Sequence, residues 1–184
     1  MSVLFCLTSC NPEPTQNSKA LAQEMADRKI KRVTGAQVAS VVDEWGASIV
    51  ASAQKALAAE LAKNPDTSLC RPDKLTSVQK LEKLYAAKIE LVGASDVKSP
   101  ILPAKEREVL DAYLYNAEQK LPQSTNVQKI ADSLFVYNAA VPADNPICKT
   151  CSDNAALPFV VWRIVFNRKE VIRRINTKAL EKKK

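Results

Sequence analysis

From Val38 onward, apolar residues recur every three or four positions, at Val38, Val41, Val42, Trp45, Ile49, Ala53, Leu57 and Leu61. That period marks one buried face of a helix. Asp43, Glu44, Gln54, Lys55 and Glu60 fall on the opposite face, and the many alanines between them favour helix and permit close packing. Thr34-Gly35-Ala36-Gln37 has the form of a capping box, with Thr at the N-cap and Gln at N3. A helical region over 18–63 is therefore expected to break there into a first and a second helix. Asn64-Pro65 ends it, because the residue before a proline is driven out of the helical region. At this spacing Trp45 reads as core, not as a stacking platform for a ligand.

A second capping-box pattern, Thr76-Ser77-Val78-Gln79, opens a short helix with Val78, Leu81 and Leu84 on one side. Lys88-Ile89-Glu90-Leu91-Val92 alternates and predicts a strand closed by Gly93. After Pro100 and Pro103 a helix is expected over 104–120, with Val109, Leu110, Tyr113, Leu114 and Ala117 inward. Residues 126–130 and 133–140 read as two strands around a tight turn at Ala131-Asp132, and 142–153 as a loop. Residues 159–166 form the strongest strand pattern, with Val160, Trp162, Ile164 and Phe166 on one face. A basic helix follows from Arg168, striped by Val171, Ile172 and Ile175. Helix-rich first, then a small, mostly antiparallel sheet with flanking helices, is an α+β arrangement.

Charge adds less than the total suggests. The chain carries +7, yet the segment 163–184 holds nine Lys/Arg against two Glu, which leaves eighteen of each sign before it. The basicity belongs to the C-terminal tail, where it lacks the interleaved aromatics of a nucleic-acid footprint, so no nucleic-acid partner is expected. The absence of histidine matters more. It removes the commonest general base, metal ligand and haem ligand together, and with them every hydrolase triad built on His. The paired carboxylates Asp43/Glu44 and Glu106/Glu108 are adjacent or two apart on expected helices, so their side chains diverge and read as solvated faces. No nucleophile–base pair emerges, and the chain is not expected to be an enzyme.

At the start of the chain, Val3-Leu4-Phe5-Cys6-Leu7-Thr8-Ser9-Cys10 is a short apolar run ending in small residues and a cysteine. Leu7-Thr8-Ser9-Cys10 resembles a bacterial lipobox, which would make 1–10 a partial lipoprotein signal with its beginning upstream. Cys10 would carry the lipid and Cys6 would be removed. Residues 11–18, with Pro12 and Pro14, would tether a single domain over 19–184 to the membrane of the bacterial cell envelope, periplasm-facing or in the outer membrane. Three thiols then remain in an oxidising compartment: Cys70, Cys148 and Cys151.

Cys148-Lys149-Thr150-Cys151 is the one motif with chemistry of its own, and several uses are open to it. A redox pair wants its first cysteine at a helix N-terminus, which the expected loop does not provide. Zinc wants four ligands, and only Cys70 and a carboxylate such as Asp153 could join the pair, so no metal is expected. A structural disulfide needs nothing further. Covalent haem needs a histidine directly after the second cysteine, where this chain has Ser152.

The surroundings of the pair nevertheless resemble a family. The helix with Glu106, Glu108, Leu110, Asp111, Ala112 and Tyr113, the stretch from Tyr115-Asn116 to Leu121-Pro122, the hairpin strand Leu134-Phe135-Val136-Tyr137-Asn138-Ala139-Ala140-Val141-Pro142 and the Cys148–Cys151 pair are similar to single-haem c-type domains with a PAS-like sheet. The likeness extends over 29–166, in a family of exported bacterial proteins whose function is unknown. It implies haem thioethers at Cys148 and Cys151, a cysteine such as Cys70 as a possible axial ligand, and redox or gas sensing. Ser152 in place of the proximal histidine departs from the pattern, and Met25 is the sole methionine after the lipobox, so a His/Met ligand pair is impossible. The expectation is a relative that has lost its haem: an envelope lipoprotein with a PAS-like sensory or binding domain and an envelope protein as possible partner. A haem c protein with unusual ligation is the alternative. Without haem, Cys148 and Cys151 are left as a short-loop disulfide, or one of them bridges Cys70 and closes a loop of ~80 residues, which stabilises by roughly 4 kcal/mol.

Overall fold

The computed structural model describes residues 33–154 and 156–175. The lipobox with Cys10, the tether, the helix expected before Thr34 and the tail beyond Ile175 lie outside them. The described residues form an α+β fold in which a long helix is followed by a four-stranded, fully antiparallel sheet with helices on both faces. The elements are α1 (Gly35–Lys63), α2 (Thr76–Tyr85), β1 (Ala87–Gly93), α3 (Ala104–Glu118), β2 (Asn126–Ile130), β3 (Leu134–Ala140), α4 (Pro146–Cys151), β4 (Val160–Asn167) and α5 (Arg168–Arg174). Strand order is β1-β4-β3-β2.

The capping box at Thr34 forms as expected: its side chain accepts from the Gln37 amide, and the Gln37 side chain accepts from the Thr34 amide. The predicted stripe then runs along α1, with Val38, Val42, Ile49, Ala53, Leu57 and Leu61 buried. Trp45 is partly buried, its ring 5.5 Å from that of Tyr85 and 6.4 Å from that of Phe166. Gly46 is buried on the same face, where the helix lies directly on the Tyr137 ring. A Cβ there would stand 2.3 Å from Tyr137 Cγ, so the approach of α1 to β3 requires glycine.

Strand alternation sorts the sheet into two faces. Ala87 and Ile89 of β1, Phe135, Tyr137 and Ala139 of β3, and Val160, Trp162, Ile164 and Phe166 of β4 join the α1 side in the larger core. Val92 and Val161, with Phe159, meet Leu110 and Tyr113 of α3 in a smaller core on the other side. β4 is central, buried on both faces, and contributes the largest fully buried side chain, Trp162.

Three local expectations are corrected. The Thr76–Gln79 capping box does not form: Leu75 occupies the N-cap with no side-chain bond, and Gln79 instead donates to the Asp73 carbonyl at 2.9 Å. Residues 142–153 are not a plain loop, because Asn145 accepts from the Ile147 amide at 2.9 Å and Pro146 fills the first helical position, starting α4. Glu106 is not on a solvated face. It is 3% exposed, between α3 and the sheet.

Candidate functional site

Cys70 ends a single turn of 3-10 helix, Thr67–Cys70, whose start is fixed by Asp66 accepting from the Ser68 amide at 2.8 Å. The turn brings Cys70 to the end of α4, where it is joined to Cys151 across a Cα–Cα distance of 5.4 Å and a sequence separation of 81. The bridge therefore ties the connection between α1 and α2 to the connection between β3 and β4. Cys148 remains a free thiol, fully buried in the larger core. Burial pushes its pKa up, only partly offset by a hydrogen bond with the Val160 backbone.

This arrangement does not fit covalent haem. One of the two sulfurs that would form thioethers is held in a disulfide, and the other is sealed in the core. Ser152 is committed elsewhere: its hydroxyl accepts from the amides of Asn154 and Phe159, at 3.2 and 3.1 Å, and donates to the Asn154 carbonyl. It organises the turn that leads into β4. Zinc fares no better, because the Asp153 carboxylate is engaged at the 3-10 turn Ala94–Lys98, accepting from the Ala94 and Ser95 amides at 3.1 and 2.8 Å. Gly93 leaves room for that carboxylate, which lies 3.1 Å from where a Cβ would be. Among the described residues no group of three or more His, Cys, Asp or Glu could hold a metal ion.

On the α3 side of the sheet lies a charged cluster that the sequence reading missed. Arg163, at the centre of β4, grips Glu106 of α3 with Nε at 2.6 Å from Oε2 and a second nitrogen at 3.1 Å from Oε1. Its remaining nitrogen donates to Glu90 at 2.5 Å, and Glu90 is its direct cross-strand neighbour. Lys88, on the same face of β1, pairs with Glu90 as well. Burial tends to raise the Glu90 pKa, but the hydrogen bonds and charges of Lys88 and Arg163 outweigh it and hold the carboxyl below its usual range. The same two glutamates keep Arg163 firmly protonated against the opposing effect of its burial. The available signal was the lone charge at 163 within Val160-Val161-Trp162-Arg163-Ile164-Val165-Phe166, since a charge in a two-sided core strand demands a buried partner.

The disulfide and the charged cluster meet at one cleft of about 410 Å³. It runs along β1 from Lys88 to Val92 and is lined also by the segment Cys70, Arg71, Pro72 and Asp73, by Asp96, Ser99, Ile101 and Leu102, and by Arg163 of β4. The Glu82 carboxylate caps the Ile89 amide at 2.9 Å, and Asp96 caps the Gly93 amide at 2.8 Å. These two bonds show that Ile89, Leu91 and Gly93 direct their backbone groups away from β4, toward the open edge. Ile101 is 89% exposed at the cleft. A second, more open recess of about 510 Å³ lies where α2 turns into β1, lined by Glu82, Lys83, Leu134 and Val165 among others. Comparison with family models, with curated proteins and with solved structures finds no match.

Proposed function

We propose that this chain is a lipoprotein of the bacterial cell envelope, anchored through Cys10, whose domain works by binding and not by catalysis. The observation that carries this reading is the Cys70–Cys151 bridge. A disulfide that staples two distant connections belongs to proteins that mature in an oxidising compartment, which agrees with a lipobox at the start of the chain. The cleft along β1 is the proposed binding place, since it combines apolar and charged lining residues with a sheet edge whose backbone groups face outward. Two of its carboxylates are already engaged, Glu90 with Arg163 and Lys88 and Asp96 with the Gly93 amide. The PAS-like sensory role belongs to the same proposal, in a haem-free form that the committed sulfurs and Ser152 support.

Metabolic labelling of bacteria that produce the protein from its own gene tests the anchor. Labelled palmitate is expected in the wild type and not in Cys10→Ala, and a cytosolic, unlabelled wild type would contradict the reading. An absorption spectrum of the same preparation, from cells able to attach haem, is expected to lack a Soret band. A band that stays with the denatured chain would establish the haem alternative instead.

A further inference from the structure

Cys148 and Cys151 lie three residues apart on α4, and Cys151 is its last residue. Side chains at that spacing sit on one face of a helix, with Cβ atoms about 5–6 Å apart. A disulfide needs about 3.5–4.5 Å between Cβ atoms. Ser152, which follows, is already extended, so closing the remaining gap asks the last turn of α4 to shift against the hydrogen bonds that hold Ser152. Cys151 is thus within reach of two partners: Cys70, to which it is bonded, and Cys148, which is free.

We propose that these three residues form an internal thiol–disulfide exchange switch, in which the bridge moves from Cys70–Cys151 to Cys148–Cys151 and releases the cleft wall that carries Cys70. Cys148 loses its proton to solvent, and its thiolate attacks the Cys151 sulfur. The Cys148–Cys151 bond forms as the Cys70–Cys151 bond breaks, and Cys70 departs as a thiolate that takes up a proton. One disulfide bond forms as another breaks and one thiolate replaces another, so no oxidant or reductant is consumed. The burial of Cys148 keeps its thiolate scarce and holds the resting state with Cys70 bridged. An opening that exposes α4 to water releases that hold.

The consequence reaches the cleft directly. Cys70 lines it, and the adjoining Arg71, Pro72 and Asp73 form its wall. In the resting state the bridge pins this wall to α4. After exchange the wall is covalently free and presents a new thiol into the cleft, so what the cleft can hold depends on which bridge is made. The switch rests on the oxidised pair that also supports export.

The test is slow alkylation of the folded full chain with iodoacetamide, without reductant, followed by peptide mapping that assigns label and disulfide residue by residue. Label is expected to accumulate on Cys70 together with a Cys148–Cys151 bridge, at least about tenfold more than in Cys148→Ala, where no exchange is possible. A wild type that keeps the Cys70–Cys151 bridge and never labels Cys70 overturns the switch while leaving the export reading intact. A chain with all three residues reduced on isolation overturns both. Cys70→Ser supplies a second check that needs no dynamics: made in an oxidising compartment, it is expected to contain Cys148–Cys151, and two free thiols there would contradict the switch.

Discussion

Arg163 shows how one side chain can be both expensive and indispensable. Its guanidinium is removed from water at the centre of β4, and the two carboxylates of Glu106 and Glu90 replace the lost hydration. Removing Glu106 leaves that buried charge with Glu90 as its single carboxylate partner, a loss of up to about 3–5 kcal/mol. Glu106→Gln is therefore expected to lower the unfolding free energy measured in urea by up to that amount, whereas Glu108→Gln, on the exposed side of α3, changes it little. Gly46→Ala is a second residue-scale test. Its added methyl collides with the Tyr137 ring in a close-packed core, so it is expected to destabilise by about 1–3 kcal/mol although alanine is the better helix former. Neither position was legible from the chain alone. Gly46 is silent in a hydrophobic pattern, and Glu106 was weighed against its helix neighbours when its partner is 57 positions away.

At the scale of elements, periodicity was sufficient where one face of a helix or strand meets the core. It predicted α1, the alternating β1, the hairpin of β2 and β3, and the inner face of β4, because burial imposes periods that the residues must obey. It failed at α4, where Asn145-Pro146 was read as loop punctuation although an Asn N-cap followed by Pro is also how a helix begins. Cysteine pairing was beyond it in principle, since three thiols allow three bridges and only the placement of the turn at Cys70 decides among them. That bridge closes a long loop, so Cys70→Ala with Cys151→Ala is expected to lose about 4 kcal/mol in chemical denaturation. Ala86, which ends α2 in the left-handed region at φ 48°, points the other way: Ala86→Gly is expected to gain about 0.5–1 kcal/mol. Asp153 and Glu90 link elements through carboxylates held below their usual pKa, against the upward push of partial burial, by hydrogen bonds from Ser95 and Ala94 and from Lys88 and Arg163. A depressed folded pKa contributes stability above the unfolded value, lost as pH falls through the folded one. Unfolding midpoints are thus expected to drop as pH goes below about 4, and less steeply in Asp153→Asn.

For the whole molecule, the fold is a sheet covered on both faces, with its chemistry drawn to one edge. The larger core holds Cys148 and the α1 stripe, the smaller holds residues of α3, and β1 runs along the cleft where the bridge and the ion-paired cluster come together. No helix among the described residues is long and apolar enough to cross a membrane. The family likeness drawn from the cysteine pair and its surroundings implies haem thioethers at Cys148 and Cys151 only in its haem-bearing form; in this fold Cys151 is bridged to Cys70 and Cys148 is a buried thiol. The most direct measurement is mass-spectrometric mapping of the cysteines in the full chain recovered from bacterial envelopes under acid quench. The account predicts Cys70 joined to Cys151, Cys148 as a thiol and Cys10 acylated; haem thioethers on Cys148 and Cys151, or reduced thiols at Cys70 and Cys151, would contradict it.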